Sequence, residues 1–505
     1  MVMKKTGRAA AALTAALLTV SFVPGGMPAV LQADSAVEAI ALTATTVWNN
    51  EYTENYEQLL DLHYDKVQLA AREKEKHAGL VASFNTMNEE IEAEAVQMHD
   101  ELLPDAKQMK SEYSEYFFHF FYEANAIVSR ADSAYTSLRY SFSHFAGGVH
   151  GSSWSKSYNF RSDTGERLAV ADVVTDEAAL QNAVRSELNE HFSYLTGMDN
   201  FDSISPSDYI WTIGRDRMHV YFDVYTLGSY AEGPQDVIIS FSEYPELFPE
   251  QVKQVSDSYA EGPGGVYTIF NEDLNGDGSL DELNVRVNYG GEEYSYTGLD
   301  VSVGEQQLSV DLYCSDMKSY LVHKDGRVFV YCELTEDSDY REIYVVEVTG
   351  GSPVLRGCVD LGFLCDFDED IGGYAIELLT APDSLHLQTR TDICGTSGIH
   401  AAYKVGEDGL PVMTDAWFSY AADKTIKAKS DIEATKVDQN GTASGSVTIR
   451  AGEGVVPVRT DDETWVDLRL TDGTLCRMTV DRQEWPVKLN GTAQDDLFDN
   501  IMYAG

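Results

Sequence analysis

Residues 116–145 read YFFHFFYEANAIVSRADSAYTSLRYSFSHF, and this stretch decides the fold of the first half of the chain. Aromatic and β-branched residues dominate it, so 116–130 and 134–145 are predicted as paired strands turned by Arg130-Ala131-Asp132-Ser133. Just before it the period is helical. Leu80, Phe84, Met87, Ile91, Ala95, Met98 and Leu102 recur at steps of three and four, which predicts a helix with one core-facing stripe, ended by Pro104. Leu59, Leu60, Leu62, Val67 and Leu69 give Tyr56 to about Glu75 a helical character too. Downstream, Gly147-Gly148 interrupts the pattern, and Ser157–Phe160 and Arg167–Val170 read as short strands around Asp163-Thr164-Gly165. Ala178 to about Leu195 reads as a helix, Met218–Leu227 and Asp236–Ser240 as strands, and Tyr244–Phe248 as a closing turn. Helices beside an antiparallel sheet make 55–250 an α+β domain.

Residues 251–265 end in Gly262-Pro263-Gly264-Gly265 and read as a linker. Beyond it, short strands and turns dominate. Asp325-Gly326, Asp408-Gly409 and Asp472-Gly473 each divide strand-like runs, a strong local hairpin signal. Residues 266–420 are therefore expected to be all-β, propeller-like or a sandwich, and 421–505 a small terminal β unit with Trp465–Leu470 as one arm. The fold class is multidomain, α+β followed by all-β. A length of 505 agrees with about three domains.

At the other end, Lys4, Lys5 and Arg8 precede a 15-residue run from Ala9 to Val23, then Pro24-Gly25-Gly26. That run is short for a bilayer span and has the basic-apolar-small order of a secretory signal, so 1–33 is expected to be removed. Residues 34–54 read as a flexible lead, and no transmembrane span is expected in the mature chain. A secreted or cell-surface location follows from this reading.

Thirty-six basic against 83 acidic residues give a net charge of −47, which argues against nucleic acid and favours cations or basic proteins as partners. The six cysteines all lie between Cys314 and Cys476, and none forms a Cys-x-x-Cys pair. Zinc-ribbon and thioredoxin readings fail for that reason. Export permits disulfides, whereas the strand-like setting of Cys332 and Cys365 favours free thiols.

One segment has metal-ligand spacing. Asp273, Asn275 and Asp277, with the Ser279 carbonyl and Asp281, match positions one, three, five, seven and nine of a calcium loop, and Gly278 gives the turn at six. Asn284 at position twelve lacks the bidentate carboxylate, and strands rather than helices flank the loop. The alternative is a metal-free Asn/Asp/Gly hairpin turn. Asp366, Asp368, Glu369 and Asp370 read as a solvated charge run. No Gly-x-Ser-x-Gly elbow, phosphate loop, dinucleotide fingerprint or His-Glu-x-x-His is present.

The Gly147-Gly148-Val149-His150-Gly151 turn has a mechanical reading, since glycine permits positive φ and close backbone approach, and a lone His beside it is structural by default. Tyr221, Tyr225 and Tyr230 offer either sheet packing or a recognition surface. These motifs also carry a resemblance. Gly147–Gly151, then Asn159-Phe160, Asp163-Thr164-Gly165, Leu168 and Asp172, then Phe222, Tyr225, Tyr230-Ala231 and Gly233-Pro234 occur in the order seen in the RsiV-like family. That extracytoplasmic domain is shared with the N-terminal part of the deacetylase PdaC. Ser229 departs from the family, which commonly has proline before the tyrosine.

The resemblance implies a binding domain that takes lysozyme or accompanies cell-wall enzymes and supplies no catalytic residue. Only eight residues precede the apolar run, so an anti-sigma segment is not expected, and no His-x-x-x-His follows 265 for a deacetylase. The expected function is an exported bacterial cell-envelope binding protein without catalysis of its own. Lysozyme, another basic protein or wall glycan is its partner, and Gly147, Gly148, His150, Tyr225 and Tyr230 are its candidate binding residues. The alternatives are a cell-wall hydrolase with unidentified carboxylates and a calcium-stiffened scaffold.

Overall fold

The computed structural model describes residues 37–504, apart from 292–294, 337–339 and 369–370. The expected signal segment 1–33, and Glu369 and Asp370 of the acidic run, lie outside the described residues. Helices and strands mix in the first half and strands dominate the second, in line with the fold class expected.

The expected pair of strands at the centre of the first half forms, the first of them starting four residues later than 116: Phe120–Ala131 and Tyr135–Phe145 are antiparallel, and Ser152–Arg161 adds to them. The stripe helix also forms, as α1 (Ala78–Glu112), with Leu80, Phe84, Met87, Ile91, Ala95 and Leu102 in one buried core. Pro104 does not end it. The helix gives up one backbone hydrogen bond there, and Ala106 and Met109 carry the apolar face on for two more turns against the same core.

Residues 58–69 are a strand and not the helix expected. Leu60, Leu62 and Tyr64 are buried while Asp61, His63 and Asp65 are partly exposed, a period of two that the leucine count had masked. The flexible lead is likewise corrected, because Leu42–Trp48 is a strand between Gln58–Leu69 and Gly373–Leu378. The expected linker is corrected too. Ser258–Gly264 is a strand that pairs with Asp316–Lys324 on one side and touches Phe120–Ala131 at Gly262↔Val128 on the other. One sheet therefore runs from Val354–Val359 through the first half to Cys365–Asp368, across the boundaries at 250 and 265.

The remaining β structure is a four-stranded meander over 267–310 and a large antiparallel sheet that includes Leu385–Thr391, Ser397–Val405 and Leu475–Asp481. This second sheet crosses the expected boundary at 420, since Phe418–Tyr420 pairs with both Ser397–Val405 and Gly454–Thr460. Asp325 and Gly326 both have positive φ, as a type I′ hairpin requires. All six cysteines are free, and Cys314, Cys332, Cys394 and Cys476 are buried. Among the described residues, no helix is long and apolar enough to cross a membrane.

Candidate functional site

The second helix, α2 (Glu177–His191), is capped by Asp176, whose carboxylate accepts from the Ala178 and Ala179 amides, and it packs on the small sheet Ile210–Ile213, Arg217–Phe222 and Gln235–Ser240. Buried polar side chains fasten this sheet to the large one. Ser137 Oγ donates to Asn159 Oδ1 (2.6 Å) and accepts from the Ile213 amide (2.8 Å), while Asn159 Nδ2 donates to the Trp211 carbonyl (2.8 Å). Gly165 meets the start of α1 so closely that a Cβ on it would lie 2.3 Å from the Gly79 carbonyl oxygen. Asn159 and Gly165, two residues of the sequence pattern, thus hold the scaffold together rather than face a ligand.

On this frame the Tyr135–Phe145/Ser152–Arg161 hairpin ends in the Gly147–Gly151 turn. Gly147 has φ +81°, and a Cβ there would lie 2.9 Å from Met109 Cε, so the turn is pressed onto the last part of α1. Val149 at the tip is 97% exposed. His150 Nδ1 donates to the Gly151 carbonyl (2.8 Å), because a carbonyl only accepts, and Nε2 is the ring nitrogen left for other contacts.

The turn is met by the loop that follows Arg217–Phe222. The His150 ring stacks on Tyr230 at 4.0 Å and 19°, and Tyr225 packs against Tyr230 at 5.9 Å. Tyr225 is 59% exposed and has φ +69°, a left-handed conformation uncommon for a bulky residue. Glu232 fixes the loop. Its carboxylate accepts from Thr196 N (2.8 Å), Thr196 Oγ1 (2.9 Å) and the Ser229 amide, and these bonds, the Ser229 amide foremost, hold its pKa down to about 2. Ser229 therefore supplies an amide that a proline at this position would lack.

Of the sequence candidates, the structure brings together Gly147, Gly148, His150, Tyr225 and Tyr230. Tyr221 stands apart as a packing residue, under the Arg139 guanidinium at 4.5 Å and bonded to Thr212 Oγ1 at 2.9 Å, with burial pushing its hydroxyl pKa up. Sequence reasoning missed Phe118, which packs edge-on to Phe145 at 6.0 Å and is exposed beside the same hairpin. The strand begins at Phe120 and not at 116, which leaves Tyr116 and Phe118 outside it.

The calcium-type loop lies between Tyr267–Glu272 and Asp281–Tyr289, and its side-chain oxygens bind its own amides. Asp273 accepts from Gly276 N (2.7 Å), Asp277 N (3.1 Å) and Gly278 N (2.9 Å); Asn275 accepts from Asp277 N (2.9 Å). Asp277 accepts from Ser279 N (2.8 Å), and Asp281 from Leu274 N (3.1 Å). Among the described residues, no three His, Cys, Asp or Glu side chains converge as metal ligands.

Two solved structures are similar to this chain. One is a DUF3298 family member from Bacteroides fragilis, at 15% identity over 43% of this chain and 98% of that one, with a TM-score of 0.33. The other is a DUF3298 family protein from Pseudomonas aeruginosa, at 12% identity over 42% and 96%, with a TM-score of 0.28. No family model and no curated protein matches the chain.

Proposed function

We propose that this chain is an exported cell-envelope binding protein whose face at His150, Tyr225 and Tyr230 docks a basic protein, lysozyme being the partner that the family resemblance implies. One observation carries the reading: two segments distant in sequence meet as a stacked, exposed aromatic group on a buried, hydrogen-bonded frame. Tyrosine and histidine rings supply apolar contact area with a polar edge at small conformational cost, which suits a recognition surface. The net charge of −47 favours encounter with a cationic partner, and the aromatic face supplies the specificity that charge alone does not.

The test is biosensor binding of hen lysozyme to the wild-type chain and to His150→Ala and Tyr230→Ala. Both side chains are exposed at the loop surface, so the variants are expected to keep the wild-type melting temperature and to weaken binding at least tenfold. Equal affinity for all three proteins, or no binding by the wild type, contradicts the proposal.

A further inference from the structure

A second cluster of titratable groups lies on one face of the central sheet. Leu60, Leu62 and Tyr64 of Gln58–Leu69 pack into the core beneath α1, so the alternate residues Asp61 and His63 project from the opposite face. Register brings neighbours to His63 on that face. Trp48 is its partner in Leu42–Trp48, Glu123 is its partner in Phe120–Ala131, and Ser143 stands across from Glu123 in Tyr135–Phe145. The Trp48 ring meets the His63 ring at 4.4 Å, tilted by 33°, and Trp48 is itself 60% exposed. His63 Nδ1 lies 3.5 Å from Asp61 Oδ1, and Nε2 lies 3.5 Å from Glu123 Oε2. Ser143 Oγ donates to the other Glu123 oxygen at 2.5 Å.

Both ring nitrogens thus face a carboxylate. A neutral imidazole has a single N–H and serves one of them, whereas the cation serves both. Asp65, the next residue of this face, is already occupied: Thr46 Oγ1 donates to it at 2.7 Å and the Ala126 amide at 3.1 Å. Burial alone lowers the His63 pKa, but Glu123 and Asp61 more than offset it and hold it above the usual histidine value. The His63 ring, in turn, is foremost in drawing Glu123 below the usual carboxylate range. The cluster sits at a weakly held strand end. Gly373–Leu378 pairs with Leu42–Trp48 from Leu42↔Leu378 to Thr45↔Ala375, which leaves Thr46–Trp48 with Gln58–Leu69 as its strand partner. Just beyond, the Asn49 amide donates to the Leu62 carbonyl at 2.8 Å, and Asn50 Oδ1 accepts from Leu62 N at 3.0 Å. A strand end paired on one side opens at low cost.

We infer that His63 is a proton-operated latch on this strand end: the cation ties Trp48 to both carboxylates and holds residues 46–50 closed, and loss of its proton to water as pH rises releases them. In the neutral state one carboxylate loses its N–H donor, Trp48 loses the cation beside its ring, and Asp61 and Glu123 repel each other across an uncharged imidazole. A histidine whose folded pKa is raised contributes stability that is fully present below the unfolded value and is lost as pH rises through the folded one, so the latch is closed in acid. None of the residues of the docking face takes part, and either reading can fail without the other.

The experiment is hydrogen exchange of the full chain from pH 5.5 to 8.5, read by mass spectrometry on peptides covering 46–52 and corrected for the intrinsic pH dependence of amide exchange. An NMR titration of the His63 ring, assigned with His63→Gln, supplies the midpoint. That midpoint is expected above the usual value of about 6.5. Protection of 46–52 should fall at least about threefold through the same midpoint, while the buried strand Arg327–Thr335 keeps its protection throughout. In His63→Gln the protection of 46–52 should no longer vary with pH. Trp48 emission, taken as wild type minus Trp48→Phe, should rise through the same midpoint, because a protonated histidine quenches a neighbouring indole. The wild-type titration needs no substitution, so a variant that folds poorly leaves the test standing. A His63 midpoint at or below about 6.5, protection of 46–52 that does not follow it, or a pH dependence that persists in His63→Gln overturns the inference.

Discussion

Asn88 sits in the middle of the apolar face of α1, buried between Met87 and Ile91, and its position has a specific cause. The strand Gln58–Leu69 pairs in parallel with Phe120–Ala131 only from Leu60↔Phe120 to Tyr64↔Ala124. Past that point the Val67 backbone has no strand partner on this side, and Asn88 takes its place. Its Oδ1 accepts from Val67 N at 3.1 Å, and its Nδ2 donates to Val67 O at 2.9 Å. In Asn88→Ala both Val67 groups lose their partner in a buried setting. At about 1–3 kcal/mol for each of the two stranded groups, the loss should be about 2–6 kcal/mol. Urea unfolding measures it, and amide exchange of Val67 should quicken in parallel. Asn88→Asp keeps the acceptor but turns a carboxylate oxygen toward the Val67 carbonyl, so it should destabilise at pH 7 and recover partly at acid pH, where a protonated carboxyl donates. The exposed neighbour Glu89→Ala serves as control and should stay within about 0.5 kcal/mol of wild type. A loss below 1 kcal/mol in Asn88→Ala would refute the substitution of a side chain for a strand.

Other consequences are equally direct. Gly79→Ala, which would gain about 1 kcal/mol in an open helix, should cost about 2 kcal/mol or more by thermal unfolding, because its Cβ would lie 2.2 Å from the Thr164 carbonyl oxygen; a gain in melting temperature contradicts that contact. Glu232 has a folded pKa below the unfolded one. Its contribution to loop order is therefore present above the ordinary carboxyl range and lost as pH falls through about 2. An NMR titration should place its midpoint there, and a midpoint near 4.5 removes Glu232 as the loop's anchor. Asp273→Ala removes the acceptor of three amides and should lower the melting temperature. If calcium uses this loop, 5 mM calcium raises the melting temperature of wild type and not of Asp273→Ala, whereas no shift in either leaves the loop a hydrogen-bonded turn.

Sequence pattern revealed what is local. The α1 stripe shows because Leu80 to Leu102 repeats at helical spacing within one element, and Asp325-Gly326 because a two-residue hairpin needs positive φ at both positions. It failed where two periods fit the same leucines, as at 58–69, and where a strand finds its partner far along the chain. Leu42–Trp48 carries no local sign that Gly373–Leu378 lies beside it, so it reads as a lead. Pro104 reads as a stop from its intrinsic cost, whereas the helix runs on through it with Ala106 and Met109 against the same core as the rest of the stripe. The residues of the proposed face are singled out as a group only through a resemblance in motif order, and the His150–Tyr230 stack is not legible at all, because neither segment encodes the other.

The most direct test of the binding reading is calorimetric titration of the chain with lysozyme at physiological and at raised salt. A docking face built on Tyr225, Tyr230 and His150 predicts saturable binding whose affinity falls with salt but persists at 0.5 M, where the screening length is only about 4–5 Å. Binding that vanishes at raised salt, or is absent at both, reduces the interaction to charge attraction and contradicts the account.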